Sequence, residues 1–222
     1  MSTSKSVKKQ INRGLRKRLI HAIQEADASR NYDKTIKIYE RYRREYAFDA
    51  RLEYNLALLY DHSNFQKKSK RNLSRALEIY RRLIKENPKD PLFLHGLSRV
   101  YQELGRKRLA IQAEVRAYHL LRKLPRNKRG IIGVGNVFLL QKDFKNAEKW
   151  FKRELKDMGL NNFAANANLL MFYDSIGDKR RAGNFARKTK ILLEKEIKLL
   201  PKNIRYKNAT VQSLLEKIRK NK

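Results

Sequence analysis

The residue types that most often carry catalysis are sparse and scattered in this sequence. No serine, histidine and aspartate combine into a candidate triad, and there is no cysteine to form a disulfide or a thiolate metal site. Gly133 and Gly135 offer only two glycines of a dinucleotide-binding loop, without the third glycine or a preceding strand. The histidines show no spacing typical of metal ligands: His21, His62, His95 and His119. We therefore expect no catalytic residue, no metal site and no cofactor, and so no enzyme.

The chemistry that the sequence does offer is electrostatic. The 222 residues include 54 Lys plus Arg against 22 Asp plus Glu, which gives a formal net charge of +32. Such an excess attracts an acidic partner: a nucleic acid, an anionic membrane surface or an acidic protein. Basic clusters are candidate contacts to nucleic acid, at Lys67, Lys68, Lys70, Arg71, Arg106, Lys107, Arg108, Lys179, Arg180 and Arg181.

The sequence shows no signal peptide or membrane span, so we expect a cytoplasmic protein. The N-terminal segment 1–9 is polar and basic and lacks the apolar stretch of a signal peptide. No run of about 18 apolar residues is present, so we expect no integral membrane contact. The oligomeric state stays open.

Small residues recur along the chain at a nearly constant distance. Their successive spacings are 41, 34, 37 and 35 residues, at Thr35, Ala76, Ala110, Ala147 and Ala182. A period of this length is typical of stacked helical repeats. The apolar residues around each small residue follow a helical period, as in Leu73, Leu77, Tyr80 and Ile84. No segment alternates with period two, so we predict an all-α chain.

The segment around Ala147 carries the clearest repeat signature. It contains, in order, Val134, Gly135, Phe138, Ala147 and Phe151. This resembles the tetratricopeptide pattern of Leu-Gly-x-x-Tyr followed by Ala-x-x-x-Phe. The other repeats match in part, with Glu114 and Ala186 where an aromatic residue is expected. Five tyrosines fall at packing positions and are predicted to lie in the core: Tyr39, Tyr60, Tyr80, Tyr101 and Tyr173.

The resemblance implies an α-solenoid of about five helix-turn-helix repeats plus a C-terminal capping helix. The repeats span about 16–46, 50–90, 91–125, 128–160 and 163–200, within a repeat domain over 9–200. Residues 1–8 are expected to be a disordered basic tail. The cap is predicted over 204–220, where Val211, Leu214, Leu215 and Ile218 form an apolar stripe. The extra length of the second repeat is assigned to a polar, basic loop over 62–72.

In the tetratricopeptide family the first helix of each repeat lines a concave groove, and the second faces outward. That resemblance implies a mostly neutral groove and a basic convex face. The groove positions carried over by register are Tyr54, Leu58, Leu92, His95, Arg99, Ile132, Asn136, Leu139, Leu140, Ala164, Ala167 and Met171. The Lys and Arg partners of a carboxylate clamp are missing, so we do not predict that clamp.

These observations favour a non-catalytic adaptor that holds a protein or peptide in the groove. The alternative is an RNA- or ribosome-associated protein that docks on phosphates through the basic face. The two functions are compatible, because each would use a different face of the repeats.

Overall fold

The computed structural model describes residues 13–29, 31–67, 69–124 and 133–199, together with Glu216, Ile218 and Arg219. These residues form ten helices and no strand. The predicted all-α repeat fold is therefore confirmed. The predicted tail 1–8, the start of the predicted cap (204–215) and Ile132 lie outside the described residues.

The chain divides into two compact units, residues 1–120 and 121–222. Helices α1 to α5 and nearly all of α6 belong to the first unit, and consecutive helices from α1 to α5 pack against one another. Their bounds are Arg13–Ser29 (α1), Tyr32–Glu45 (α2), Ala50–Lys67 (α3), Lys70–Glu86 (α4), Pro91–Glu103 (α5) and Lys107–Arg122 (α6).

The described residues 133–199 of the second unit form four helices, each packed against the next. They are Val134–Leu140 (α7), Phe144–Met158 (α8), Phe163–Ser175 (α9) and Lys179–Leu199 (α10). Their apolar faces form one buried cluster that includes Phe151, Leu169, Phe172 and Leu193. Ile218, the one described apolar residue of the predicted cap, is buried in the same cluster.

The small residues that set the repeat period lie at close contacts between paired helices. Ala76, Ala110, Ala147 and Ala182 have no exposed surface, and Thr35 is also buried. Gly135 shows how close these contacts are, because a Cβ atom added to it would come within 2.5 Å of the Phe151 ring. The five tyrosines predicted to lie in the core are all buried.

Helix starts and turns follow local rules of capping. Asp143, Asn162 and Asp178 each accept a backbone hydrogen bond from the residue three positions ahead, which satisfies one free N–H of the helix. Gly177 adopts a φ of 78° in the turn that precedes α10. Lys142 holds the equivalent position before α8 with a φ of 60°, a conformation that costs an ordinary residue roughly 1–2 kcal/mol.

The predicted loop over 62–72 is wrong. Helix α3 continues to Lys67 and α4 starts at Lys70, so the extra residues of the second repeat are largely helical. Their polar side chains suggested a loop, but some of these residues are buried and hydrogen-bonded within the fold. Ser63 is fully buried and accepts a hydrogen bond of 3.0 Å from the Asn72 side chain.

We expect Ala147→Asp to lower the free energy of unfolding by about 3–5 kcal/mol, because it places an unpaired charge at a closed helix contact. Urea denaturation followed by circular dichroism measures the effect. Lys149→Asp on the same helix is the matched control, since Lys149 is exposed and should cost far less. Equal losses for the two variants would contradict the assigned helix contact.

Candidate binding surfaces

The predicted groove residues of the first unit lie on α3 and α5, where Leu92 is exposed and the other four are half-buried. Tyr54 packs its ring against Phe93, with 5.6 Å between ring centroids, and against Tyr80 at 6.2 Å. Leu58, His95 and Arg99 retain part of their surface. These half-buried side chains therefore offer only part of their surface to a partner.

An ion pair joins the partly exposed Arg99 to a buried aspartate, in a geometry that is not that of a hydrogen bond. Arg99 Nη2 lies 2.9 Å from Asp61 Oδ2, and the Asp61 side chain is only 4% exposed. Burial raises the pKa of Asp61, and the positive charge of Arg99 opposes that rise. Asp61 lies one helical turn after Leu58, a spacing that would have brought it into the predicted groove set. The pair adds a polar contact to this part of the surface without adding net charge.

A second buried acid replaces the aromatic residue of the third repeat. Glu114 is 1% exposed and lies 2.8 Å from His95 Nδ1. Its other oxygen, Oε2, has no hydrogen-bond partner among the described residues. His95 on α5 thus contacts Glu114 on α6 through its Nδ1 atom. About a third of the His95 side chain is exposed to solvent.

In the second unit the predicted groove residues divide into exposed and buried positions. Asn136 is exposed, Met171 is 45% exposed, and Leu139 is partly buried against the apolar cluster. Ala167 is only 8% exposed and belongs to the buried cluster, so it has little surface for a partner.

Large apolar side chains are exposed on several first helices. Leu92 on α5 is 49% exposed, Leu140 on α7 is 72% exposed, and Met171 on α9 is 45% exposed. All three occupy groove positions carried over from the family. They lie at different register positions of their repeats, and each is a candidate contact for another protein.

The predicted basic contacts gather at the starts of second helices. Lys70 and Arg71 at the start of α4 are exposed, as are Arg106, Lys107 and Arg108 at the start of α6. Neither α4 nor α6 has an acidic residue in its first turn. Arg106 and Arg108 have no acidic partner among the described residues. The side chain of Lys67 and the whole of Lys68 lie outside the described residues.

The basic cluster at the start of α10 is partly engaged within the fold. Arg181 pairs with Asp178 at 2.6 Å and with Glu148 at 2.7 Å, and its guanidinium lies 4.4 Å from the centre of the Tyr173 ring. Lys179 Nζ lies 3.2 Å from Asp174. Lys179 and Arg180 remain exposed. Arg181 thus stabilises the contact between α8, α9 and α10.

Neither a metal site nor a membrane span is found in the described part of the chain. No group of three or more His, Asp or Glu side chains there is placed to hold a metal ion. None of its helices combines the length and apolar character that a membrane crossing requires.

Solved structures place this arrangement of helices in a known fold. The chain matches TTC0263, a TPR protein of Thermus thermophilus, with a TM-score of 0.61 and 19% identity over 91% of this chain and 96% of that chain. The protein has the tetratricopeptide-repeat fold. It also matches MamA (TM-score 0.53, 14% identity, 86% and 99% coverage). A chain of the APC/C hetero-tetramer Cut9–Hcn1 gives a TM-score of 0.52 and 15% identity, over 88% of this chain and 34% of that chain.

No protein-family model and no curated protein matches the sequence. The low identities of the solved structures mean that the likeness concerns the tetratricopeptide-repeat fold alone. The resemblance predicted from the repeat signature is confirmed at that level. Within the fold, Glu114 is the position that departs most in chemistry, because a buried carboxylate stands where Tyr39, Tyr80 and Phe151 stand in other repeats.

We expect Arg99→Ala to destabilise the protein by roughly 1–3 kcal/mol at pH 7, because it leaves the buried Asp61 charge unpaired while Arg99 itself is partly solvated. Adding Asp61→Asn should restore part of the loss. Urea denaturation of the single and double variants measures both effects, with Arg108→Ala as the exposed control.

The deficit of Arg99→Ala should also shrink toward pH 4. The pKa of Asp61 is raised by burial, so this carboxyl becomes neutral on acidification before an ordinary aspartate does. A deficit that is equal to that of Arg108→Ala, or that is unchanged by Asp61→Asn, would contradict a stabilising ion pair.

Proposed function

We propose that this chain is a non-catalytic scaffold that binds a protein segment along its first helices. The observation that carries the proposal is that each compact unit exposes large apolar side chains on its first helices: Leu92 on α5 in the first unit, and Leu140 on α7 and Met171 on α9 in the second. Large apolar side chains in contact with water are unfavourable. A partner that covers them is stabilised by removing their apolar surface from water.

Polar residues at other predicted groove positions of the first helices suit recognition of a peptide. Arg99 is held by Asp61, so its guanidinium loses little freedom when it binds a carboxylate or a carbonyl of the partner. Asn136 offers an exposed amide, which donates to and accepts from a peptide backbone. Anchoring apolar contacts with a few fixed polar groups give both affinity and register.

The test is capture of partners from a nuclease-treated lysate of the producing cells. Met171→Glu should reduce recovery of a discrete protein partner at least tenfold, because it places a charge in an apolar contact. Ile191→Glu is the matched control: Ile191 is 56% exposed but lies on α10, a second helix. Equal recovery by the two variants, or recovery that requires intact RNA, would contradict the proposal.

A second candidate function, RNA binding through the basic helix starts, is favoured by one specific observation. Cations are unfavourable at a helix N-terminus, where the helix dipole is positive, by roughly 0.3–1 kcal/mol each. Yet α4 begins with Lys70 and Arg71, and Arg106 directly precedes Lys107 and Arg108 in α6. An arrangement that costs helix stability at two successive repeats supports a binding role, because phosphates gain from both the cations and the dipole.

We expect replacement of Arg106, Lys107 and Arg108 by Glu to weaken binding of a single-stranded RNA. The slope of log affinity against log salt should fall in magnitude by roughly two, since each phosphate contributes about 0.7 on single strands. Fluorescence anisotropy over a salt series measures this slope. The matched control replaces Lys149, Lys156 and Arg187 by Glu, which changes the net charge equally. Identical salt-dependence slopes for both triple variants would contradict the assignment of the RNA contact to the start of α6.

A further inference from the structure

A cavity opens beside the connector between α2 and α3, away from the predicted groove residues. Its volume is about 640 Å³, within the range of about 300–1,000 Å³ that small-molecule sites occupy. It is lined by the end of α2, the connector 46–49, the first turns of α3 and the end of α4. Its lining includes none of the predicted groove residues of the first unit, which are Tyr54, Leu58, Leu92, His95 and Arg99.

Aromatic side chains form much of the cavity wall. The ring centroids of Tyr42 and Tyr46 lie 5.6 Å apart. The large apolar side chain of Phe48 is 47% exposed. The connector that carries Phe48 is fixed at both ends. Tyr46 donates its backbone N–H to the carbonyl of Tyr42 at 2.9 Å, and Asp49 accepts from the backbone N–H of Leu52 at 3.1 Å. The exposed Phe48 ring is therefore presented by a restrained connector.

Two arginines are held against this wall by one buried carboxylate. Glu53 Oε1 lies 2.9 Å from Arg43 Nε and 2.7 Å from Arg82 Nη2, while the Glu53 side chain is 5% exposed. The guanidinium of Arg82 also lies 4.7 Å from the centre of the Phe48 ring. Guanidinium planes and aromatic rings both stack on flat, aromatic ligands. The cavity thus combines pre-positioned planar groups of both kinds.

The cavity lining carries three arginines, Arg43, Arg44 and Arg82, and three acids, Asp49, Glu53 and Glu86, so its formal charges balance. Asp49 accepts backbone hydrogen bonds at the start of α3, and Glu53 pairs with Arg43 and Arg82. Arg44 is exposed and has no acidic partner among the described residues, and Glu86 is exposed at the end of α4. A phosphate beside the cavity would therefore be attracted by Arg44 and repelled by Glu86.

We propose that this cavity receives one unpaired base of single-stranded RNA, which stacks on Phe48 and Tyr46 while Arg44 contacts the neighbouring phosphate. Unpaired bases are recognised by stacking on aromatic side chains and arginine planes, and the adjoining phosphates by cations. The +32 charge of the chain supplies the long-range attraction for such a polyanion. The inference rests on the RNA-binding candidate function, to which it adds a site that contacts bases rather than phosphates.

The test compares two labelled oligomers of about 12 nucleotides, a length within the site sizes of single-strand binders. One is oligouridine RNA, and the other has the same phosphates without bases. Phe48→Ala and Phe48→Leu should each weaken binding of the oligouridine, by roughly fivefold to 150-fold, the range of one lost base stack. Both variants should leave binding of the abasic oligomer unchanged, as measured by fluorescence anisotropy.

Two further variants make the comparison sharper. Phe144→Ala is the matched control, because Phe144 is 46% exposed on α8 in the other unit and should not affect either oligomer. Glu86→Gln should tighten binding of both oligomers a few-fold at low salt, because it removes a negative charge from the cavity mouth. Circular dichroism verifies that each variant retains its helices.

The possible results distinguish the base site at Phe48 from RNA binding through phosphate contacts alone. Salt-dependent RNA binding that Phe48→Ala does not weaken would overturn the base site and leave phosphate docking intact. An equal effect of Phe48→Ala on both oligomers would also overturn it, since the abasic oligomer has no base to stack. Absence of RNA binding, or a Phe48 contact found only with a protein partner, would overturn the base site together with RNA as its occupant.

Discussion

The fold depends on close contact between the two helices of each repeat at one small residue. Ala76, Ala110, Ala147 and Ala182 have no exposed surface, and any larger side chain there would separate the helices. That contact brings a residue one turn further along the second helix against the first helix. In the fourth repeat this is Phe151, which occupies the space left open by Gly135. The surfaces that remain for binding are those that these contacts leave uncovered.

The same packing buries part of the chain's small set of acids. Several of the chain's few acids are consumed inside the fold: Glu53, Asp61, Glu114 and Glu154 are all buried. Glu53 and Asp61 hold arginines there, and Asp143 and Asp178 cap helices. These acids neutralise only the few arginines that they contact, while the chain has 54 Lys plus Arg against 22 Asp plus Glu. Most of the remaining positive charge is free to attract an acidic partner.

The repeat fold was predictable because its signals are local and recur. Small residues and aromatics at a fixed period define the helix pairs, and one weak repeat is supported by its neighbours. The length of α3 was not predictable from composition, because Ser63 and Asn72 look like loop residues until their hydrogen bond is known.

The binding surfaces were predicted less well, because exposure depends on the neighbouring helices. Register alone placed Ala167 beside Met171, yet one is buried and the other exposed. Phe48 was missed for a similar reason. Its sequence neighbours, Tyr42, Arg43, Arg44 and Tyr46, do interleave aromatic and basic residues, but only the fold shows that they surround a cavity with Arg82.

The central claim is that first helices contact the protein partner. The most direct measurement is hydrogen–deuterium exchange of the full chain, alone and saturated with its captured partner. We expect slower exchange over the described parts of α3, α5 and α9, with second helices α4, α8 and α10 changed little. Protection confined to the second helices, with none on α5 or α9, would contradict the claim.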